Sequence, residues 1–489
     1  MTKMAVPYRG EALATTGPVS GESAAPGAAV QARAQECSRA DRLRGAYRPV
    51  PREESAVLHG PAAGRAVVER PWESYALRRE NLYGELRRQG IFTWDSMYGD
   101  EYALASVFPV TGTFREELKK ASEALGGVFA KTALVVMQAE DELLAELGLP
   151  EAAWEAVRTS LPELLPTLIG RFDFAATPAG LKMLEFNAET PTDIVEAFYV
   201  NGQVCDRFGA RDPNAGLAQG LQQAFARAVA VYQAQGFATE RMIFSSVDWH
   251  EEDAGTTRFL LAHSGLNAEF VPLSHLRVYE DRVQVLEELQ HTPVDLMYRL
   301  HPLEKLASEK DDDGYPTGCH ALDIVARGKL ALINPPAALI AQSKAVQALI
   351  WNLHENNEFF SPAEHAAIQA YMLPTYFENR FEGNSAYVTK PVYGREGGAV
   401  SVYGPDGVLW ARDEEAEYWE QPVIYQQYAE LPLVTVETLN GLYCGRMIFG
   451  SFLVDGQGSG IVARVGSRIT GNMAYYQPLC VSVDAPKGE

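Results

Sequence analysis

The stretch of this sequence that most constrains its fold runs Arg171-Phe-Asp-Phe-Ala-Ala-Thr-Pro-Ala-Gly-Leu-Lys-Met-Leu-Glu-Phe-Asn187. Polar and aromatic residues alternate at both ends, and a period of two is the mark of a strand with one buried face. Pro178-Ala179-Gly180 reads as a three-residue hairpin loop, with Gly180 in the left-handed position. Pairing about residue 179 sets Arg171 opposite Asn187 and Asp173 opposite Glu185. One face then gathers an arginine, two carboxylates and an amide. Phe172, Phe174, Leu184 and Phe186 line the other face, toward a core.

Two carboxylates directly across a strand pair repel each other unless a cation lies between them. Asp, Glu and Asn oxygens suit Mg2+, and a neighbouring arginine suits phosphate. The set has the chemistry of a magnesium–nucleotide site. A solvated polar sheet face with an Arg–Asp pair satisfies the same pattern. A carboxylate pair also serves glycoside hydrolysis, but that reading leaves the cations described next without a role.

Ser343-Lys344 opens a helical run through Leu353. Ser343 suits the N-cap, and Lys344 falls in the first turn, where helical N–H groups favour anions. Tyr387-Val-Thr-Lys390-Pro reads as a strand ending in a lysine. It runs into Gly394-Arg395-Glu396-Gly397-Gly398 and then a second strand, Val400–Tyr403. A glycine loop between strands can fold over phosphates with its N–H groups unobstructed. No GK[ST] and no helix follow it, which excludes the Walker and dinucleotide patterns. Gln426 lies in a strand before a connection that can present backbone groups to an adenine. Gly460–Asn472 carries Arg464 and Arg468 among glycines, and a mobile arginine can close on a charge-rich transition state. Taken singly, each of these is also satisfied by a solvated charge or an ordinary turn.

A chain of 489 residues has room for two or three packed units. Residues 1–70 hold ten Lys/Arg, seven Asp/Glu and few large apolar side chains, so they read as a disordered tail with short helices near Ala34–Leu43. Residues 71–165 carry helical spacing in Tyr75–Gly90 and Phe114–Leu147. Residues 166–335 alternate short β-rich runs with helices and hold the hairpin. Residues 336–489 begin with helices and continue as antiparallel strands. The fold class is α/β (α+β), with a helical N-terminal region. A net charge of −22 disfavours a generic nucleic-acid or anionic-membrane binder, while a locally positive pocket for an anionic ligand is allowed. There is no apolar run of about 18 residues and no secretory leader. The five cysteines form no CxxC, so a reducing cytoplasm is expected.

Taken in order, these pieces resemble the glutathionylspermidine synthase-like ATP-grasp ligases. The resemblance rests on Leu184-Glu-Phe-Asn-Ala-Glu-Thr-Pro-Thr192, Asn334-Pro-Pro-Ala337 with Ser343-Lys344, Val388-Thr-Lys-Pro391, Arg395-Glu-Gly397 and Gly460…Arg464…Thr470. It implies an ATP-grasp-like fold with a preceding α/β domain, without the family's amidase domain. It also implies ATP-dependent joining of a small-molecule or peptide carboxylate to an amine through an acyl phosphate. Carried over, Asp173, Glu185 and Asn187 are the expected Mg2+ ligands, and Arg171 and Arg464 the stabilisers of the transferring phosphoryl group. Lys344 and Lys390 would hold the nucleotide phosphates under the Gly394–Gly398 lid, and Glu251 and Glu252 would face the amine. The alternative for Glu251 and Glu252 is a pair of acids favoured by a helix N-terminus. The alternative for the whole chain is a catalytically inactive ATP-grasp scaffold that binds a nucleotide or peptide.

Overall fold

The computed structural model describes residues 2–3, 74–287, 290–414 and 417–482. The tail expected over residues 1–70 lies outside them but for two residues. Ser74 begins the first helix, α1 (Tyr75–Arg88), and its hydroxyl accepts from Leu77 N. Helix α2 (Gly112–Val136) buries Leu118, Ala121, Leu125, Val128 and Phe129, the face its spacing predicts. The helix expected to run on to Leu147 stops at Val136. Glu140 then starts a separate one, with Asp141 and Glu142 at its positive end.

The hairpin follows as β1 (Ile169–Thr177) and β2 (Gly180–Asn187). An α/β stretch comes next: β3 (Met242–Ser245), α3 (Glu251–Ser264), β4 (Ala268–Phe270), β5 (Leu296–Arg299) and β6 (Ala331–Ile333). These strands form a parallel sheet in the order β6-β5-β3-β4. All of β5 is buried, as a strand covered on both faces should be. The strand order reverses between β3 and β5, and the carboxyl ends of strands at such a reversal are where open parallel sheets take ligands.

Helix α4 (Lys344–Glu355) leads to a second sheet, built from β7 (Thr375–Tyr376), β8 (Tyr387–Pro391), β9 (Ser401–Tyr403), β10 (Leu409–Arg412) and β11 (Val423–Gln427). It is antiparallel, in the order β7-β11-β8-β9-β10. Later strands are β12 (Leu433–Thr438), β13 (Gly441–Val454), β14 (Gln457–Gly466) and β15 (Tyr475–Tyr476). They join the hairpin in a third sheet, β15-β14-β13-β1-β2, with β12 also on β13. The hairpin, grouped by sequence with the α/β stretch, thus pairs with strands far along the chain: Asp173 lies opposite Gly450 and Arg171 opposite Phe452.

Its apolar face holds this sheet against α2. Phe172 and Phe186 stack with centroids 3.8 Å apart, and Phe129 meets both edge-on. Asn334, just past β6, ties the parallel sheet to the hairpin. Its carbonyl accepts from Leu168 N and Ile169 N, and its amide donates to Ile169 O and Glu189 O. No helix among the described residues is long and apolar enough to cross a membrane.

Candidate active site

The hairpin pairs Arg171 with Asn187 and Asp173 with Glu185, as the alternation predicts, but for a different local reason. Thr177 pairs with Gly180, so the loop is the two residues Pro178-Ala179 rather than three. Gly180, with φ of 99°, takes the left-handed position. A one-residue bulge after Asp173 makes up the difference, since Phe174 pairs with Met183 and Leu184 is the extra residue. The bulge also corrects the expectation for Leu184. It leaves the Phe172 core and packs, half-buried, with Ala175, Leu431 and Ile448. Its carbonyl accepts from Lys390 Nζ at 2.8 Å.

Arg171 and Asp173 are both buried and hold each other, with Nε to Oδ1 at 2.8 Å and Nη2 to Oδ2 at 3.2 Å. Arg171 also reaches Asp193 Oδ2 at 2.8 Å. Gly450 leaves the floor open for it, since a Cβ there would meet Arg171 Cδ at 2.8 Å. Arg464, two strands away on β14, donates to Asp173 Oδ2 at 2.8 Å and lies 3.6 Å from Asp193. Asn187 Nδ2 donates to the same Asp173 oxygen at 3.2 Å. Both arginines expected at the transferring group therefore converge on Asp173.

Lys344, the first residue of α4, lies 3.2 Å from Glu185 Oε2 and donates to Gly394 O at 2.7 Å. Ser343 occupies the N-cap position, but its hydroxyl donates to Leu147 O instead of capping. Lys390 comes from the second sheet, and besides Leu184 O it donates to Gln426 Oε1 at 2.7 Å. Gln426, buried on β11, thus positions Lys390 with its side chain. Burial alone would raise the Glu185 pKa, but Lys344 and Lys390 outweigh it and draw it down to about 2. Burial draws Lys390 down to about 8, against the pull of Glu185.

The loop Gly394–Gly398 packs against the segment after β14. A Cβ on Gly397, whose φ is 76°, would sit 2.9 Å from Ile469 Cγ2 and from Thr470 O. Arg395 joins a half-buried ion-pair network, 2.8 Å from Glu304 and 3.8 Å from Glu189, and donates to Thr190 Oγ1 at 3.1 Å. Glu396 is exposed at the tip of the loop.

Glu251 and Glu252 diverge. Glu251 is exposed at the start of α3 and accepts from Thr93 Oγ1 at 3.0 Å, which is the helix-terminus reading. Glu252 is buried and joins Asp193 and Glu196, one carboxylate oxygen of each within 4.8 Å of the others. Sequence reasoning missed Asp193 and Glu196. Their signal is the i, i+3 spacing of two acids at the start of the run after Thr190-Pro191.

Known proteins resemble this chain in sequence and in fold. The model of the glutathionylspermidine synthase preATP-grasp family matches residues 75–482. A putative acid–amine ligase of Haemophilus influenzae is 26% identical over 338 residues, 66% of this chain and 77% of that protein. A bifunctional glutathionylspermidine synthetase/amidase of Escherichia coli is 23% identical over 381 residues, 70% of this chain and 56% of that protein. The chain thus spans little more than half the length of the bifunctional relative. A solved structure of a glutathione synthetase-like effector from Globodera pallida, in its apo form, matches with a TM-score of 0.52. It covers 85% of this chain and 99% of that one at 11% identity, a likeness of fold. The family match runs unbroken from the first residue of α1 past β15 and takes in the hairpin, both lysines, the glycine loop and Arg464. The chain belongs to the glutathionylspermidine synthase preATP-grasp family.

Proposed function

We propose that the chain is an ATP-dependent carboxylate–amine ligase that forms an amide bond through an acyl phosphate. The observation that carries the reading is the convergence of three cations on one pair of facing carboxylates, with a fourth on the backbone beside them. Arg171 and Arg464 meet at Asp173, Lys344 meets Glu185, and Lys390 reaches the adjoining Leu184 carbonyl. Phosphoryl transfer asks mainly for positioning and charge neutralisation, and this cluster offers both. Lys344 and Lys390 would hold the nucleotide phosphates beneath the Gly394–Gly398 loop. Arg171 and Arg464 would bind the oxygens of the phosphoryl group as it passes from ATP to the substrate carboxylate. The neutral amine nitrogen then attacks the carbonyl carbon, phosphate leaves with the C–O bonding pair, and the nitrogen gives up one proton, which the departing phosphate can take.

Asp173, Glu185 and Asn187 have the donor types a hard cation takes, on one face of the hairpin, and Glu185 stays ionised at any working pH. Asp173 Oδ2 accepts from Arg464 and from the Asn187 amide, so a cation would displace these two donors. Mg2+ held there would neutralise charge on the phosphate oxygens. A second reading is a scaffold that binds nucleotide without turnover. It is favoured by the full engagement of Arg171, Arg464 and Lys344 in protein contacts.

The experiment is a screen of small acids, peptides and amines with ATP and Mg2+, read by mass spectrometry for condensation products and by ADP release. Asp173→Ala and Glu185→Ala should each lower turnover by about 10²–10³-fold, the usual cost of removing preorganised charge from a reacting centre. Unchanged turnover in both variants sinks the assignment. Mg·ATP binding with no product from any pair selects the scaffold.

A further inference from the structure

Arg395 belongs to the glycine loop, yet its guanidinium is held by the segment that follows the parallel strand β5. The holding residue is Glu304, in the short helix Leu303–Leu306. Its side chain is nine-tenths buried, and its Oε1 lies 2.8 Å from Arg395 Nε. Burial alone would raise the Glu304 pKa, but Arg395 outweighs it and draws it below its ordinary value. Behind this pair, Glu189 Oε1 accepts from Leu303 N at 2.7 Å and so fixes the start of that helix. Arg299, the last residue of β5, lies 2.7 Å from the same oxygen. Both side chains are almost wholly buried. The network is not fully matched. Glu189 Oε2, Glu304 Oε2 and Arg395 Nη2 are buried without a hydrogen-bond partner. Arg395 Nη2 stands 3.8 Å from Glu189 Oε2, beyond hydrogen-bond reach. Charges met this way hold the loop down less tightly than a bidentate pair would.

We propose that the Glu304–Arg395 pair is a catch that holds the glycine loop down over Lys344 and sets how readily a nucleotide phosphate reaches that lysine; the proposal rests on the nucleotide site of the ligase reading above. The link between catch and lysine is Gly394, whose carbonyl accepts from Lys344 Nζ at 2.7 Å. An ammonium has three donors. Glu185 Oε2, at 3.2 Å, and Gly394 O face two of them. A phosphate therefore gains a second donor from Lys344 only when the Gly394 carbonyl lifts. Gly394 and Arg395 are neighbours in the chain, so a shift that lifts the one pulls on the hold that Glu304 has on the other. The turn bonds from Gly398 N to Arg395 O, at 2.7 Å, and from Val400 N to Gly397 O, at 3.1 Å, lie within the loop and its exit and need not break as it moves. A protein that must open before it binds loses apparent affinity in proportion to its closed fraction. Weakening the catch therefore speeds nucleotide entry and tightens binding. Through Glu189 and Arg299 the catch is also fixed to β5, one of the two strands at the reversal of the parallel sheet. Nucleotide entry is thus tied to the crevice where such a sheet takes a ligand.

The test compares the full chain with Glu304→Gln, which keeps the shape and one acceptor oxygen but removes the charge. Without nucleotide, hydrogen exchange across residues 392–400 should quicken by about ten-fold or more, the usual worth of a charge-assisted bond. Peptides from the hairpin should exchange as before. In stopped flow, Mg·ATP should associate faster with the variant and bind it about ten-fold more tightly. A merely structural role predicts the reverse, weaker nucleotide binding with a lower melting temperature. Arg395→Met should free the loop at least as much, and adding Glu304→Gln to it should change loop exchange no further. Should Glu304→Gln unfold the chain, Thr190→Val, which takes a neutral acceptor from Arg395, carries the test, with loop exchange quickened by about three-fold. Unchanged loop exchange in the folded variant, or slower association of Mg·ATP, would overturn the proposal. Quickened loop exchange in a chain that binds no Mg·ATP leaves the catch standing and sinks the ligase reading instead.

Discussion

A methyl group at position 450 would sit 2.8 Å from Arg171 Cδ and 2.6 Å from Val462 Cγ1. Gly450→Ala should therefore push Arg171 off Asp173. Overpacking of this kind costs about 1–3 kcal/mol. The expected result is a lower melting temperature, and ADP release that falls further than the stability loss explains. Lys390 yields a pH prediction. Its ammonium is charged below about 8 and neutral above, and only the charged form holds phosphate. Mg·ATP affinity should be level at lower pH and fall as pH rises through about 8, and Lys390→Met should abolish that step. Glu185 works in the opposite sense, because its folded pKa of about 2 lies below the ordinary glutamate value of 4.5. Its contribution to stability is complete above about 4.5 and is lost as pH falls toward 2. Acid titration of Glu185→Gln should lack that part of the transition.

Among the elements, β2 shows what alternation can and cannot convey. Period-two spacing places Asp173 opposite Glu185, because the polar and aromatic faces differ sharply over residues 171–173 and 185–187. The loop between them carries no comparable contrast. Pro178, Ala179 and Gly180 fit two- and three-residue turns alike, and the bulge at Leu184 absorbs the one-residue difference. Bulges leave little trace in sequence, so neither the redirected Leu184 carbonyl nor its bond to Lys390 could be read there. Deleting Leu184 would leave a regular ladder with Asp173 still facing Glu185. That variant should melt cooperatively but bind Mg·ATP more weakly, because Lys390 loses one of its two acceptors. The two lysines and the two arginines were legible as residues because strand ends, a helix start and glycines marked them. Their convergence was not, because it depends on pairings across the chain. The cluster of Asp193, Glu196 and Glu252 was missed because Asp193 and Glu196 look like ordinary helix-start acids until α3 brings Glu252 to them.

At the scale of the whole molecule, the parallel sheet was legible from short β-rich runs separated by helices, and the last sheet from its turns. The exchange of the hairpin from one to the other was not, since local pattern carries no information about pairing partners so distant. Residues 166–335 expressed alone should therefore show no cooperative unfolding in denaturant, because β1 would lack β13 along its whole edge. Asn334→Ala should destabilise the full chain by about 2–4 kcal/mol, since it strands the buried N–H groups of Leu168 and Ile169 together; a thermal melt reads this directly.

The pairing of β1 with β13 also sets an order of events during synthesis. The ribosome makes the hairpin early, yet the strand that flanks it and the second arginine emerge only after more than two hundred further residues. Until then α2, already made, can cover the phenylalanine stack, but the edge of β1 stays unpaired. The candidate site is therefore completed only once β13 and β14 have emerged, and a chaperone that guards that edge would govern how much folded protein a cell obtains.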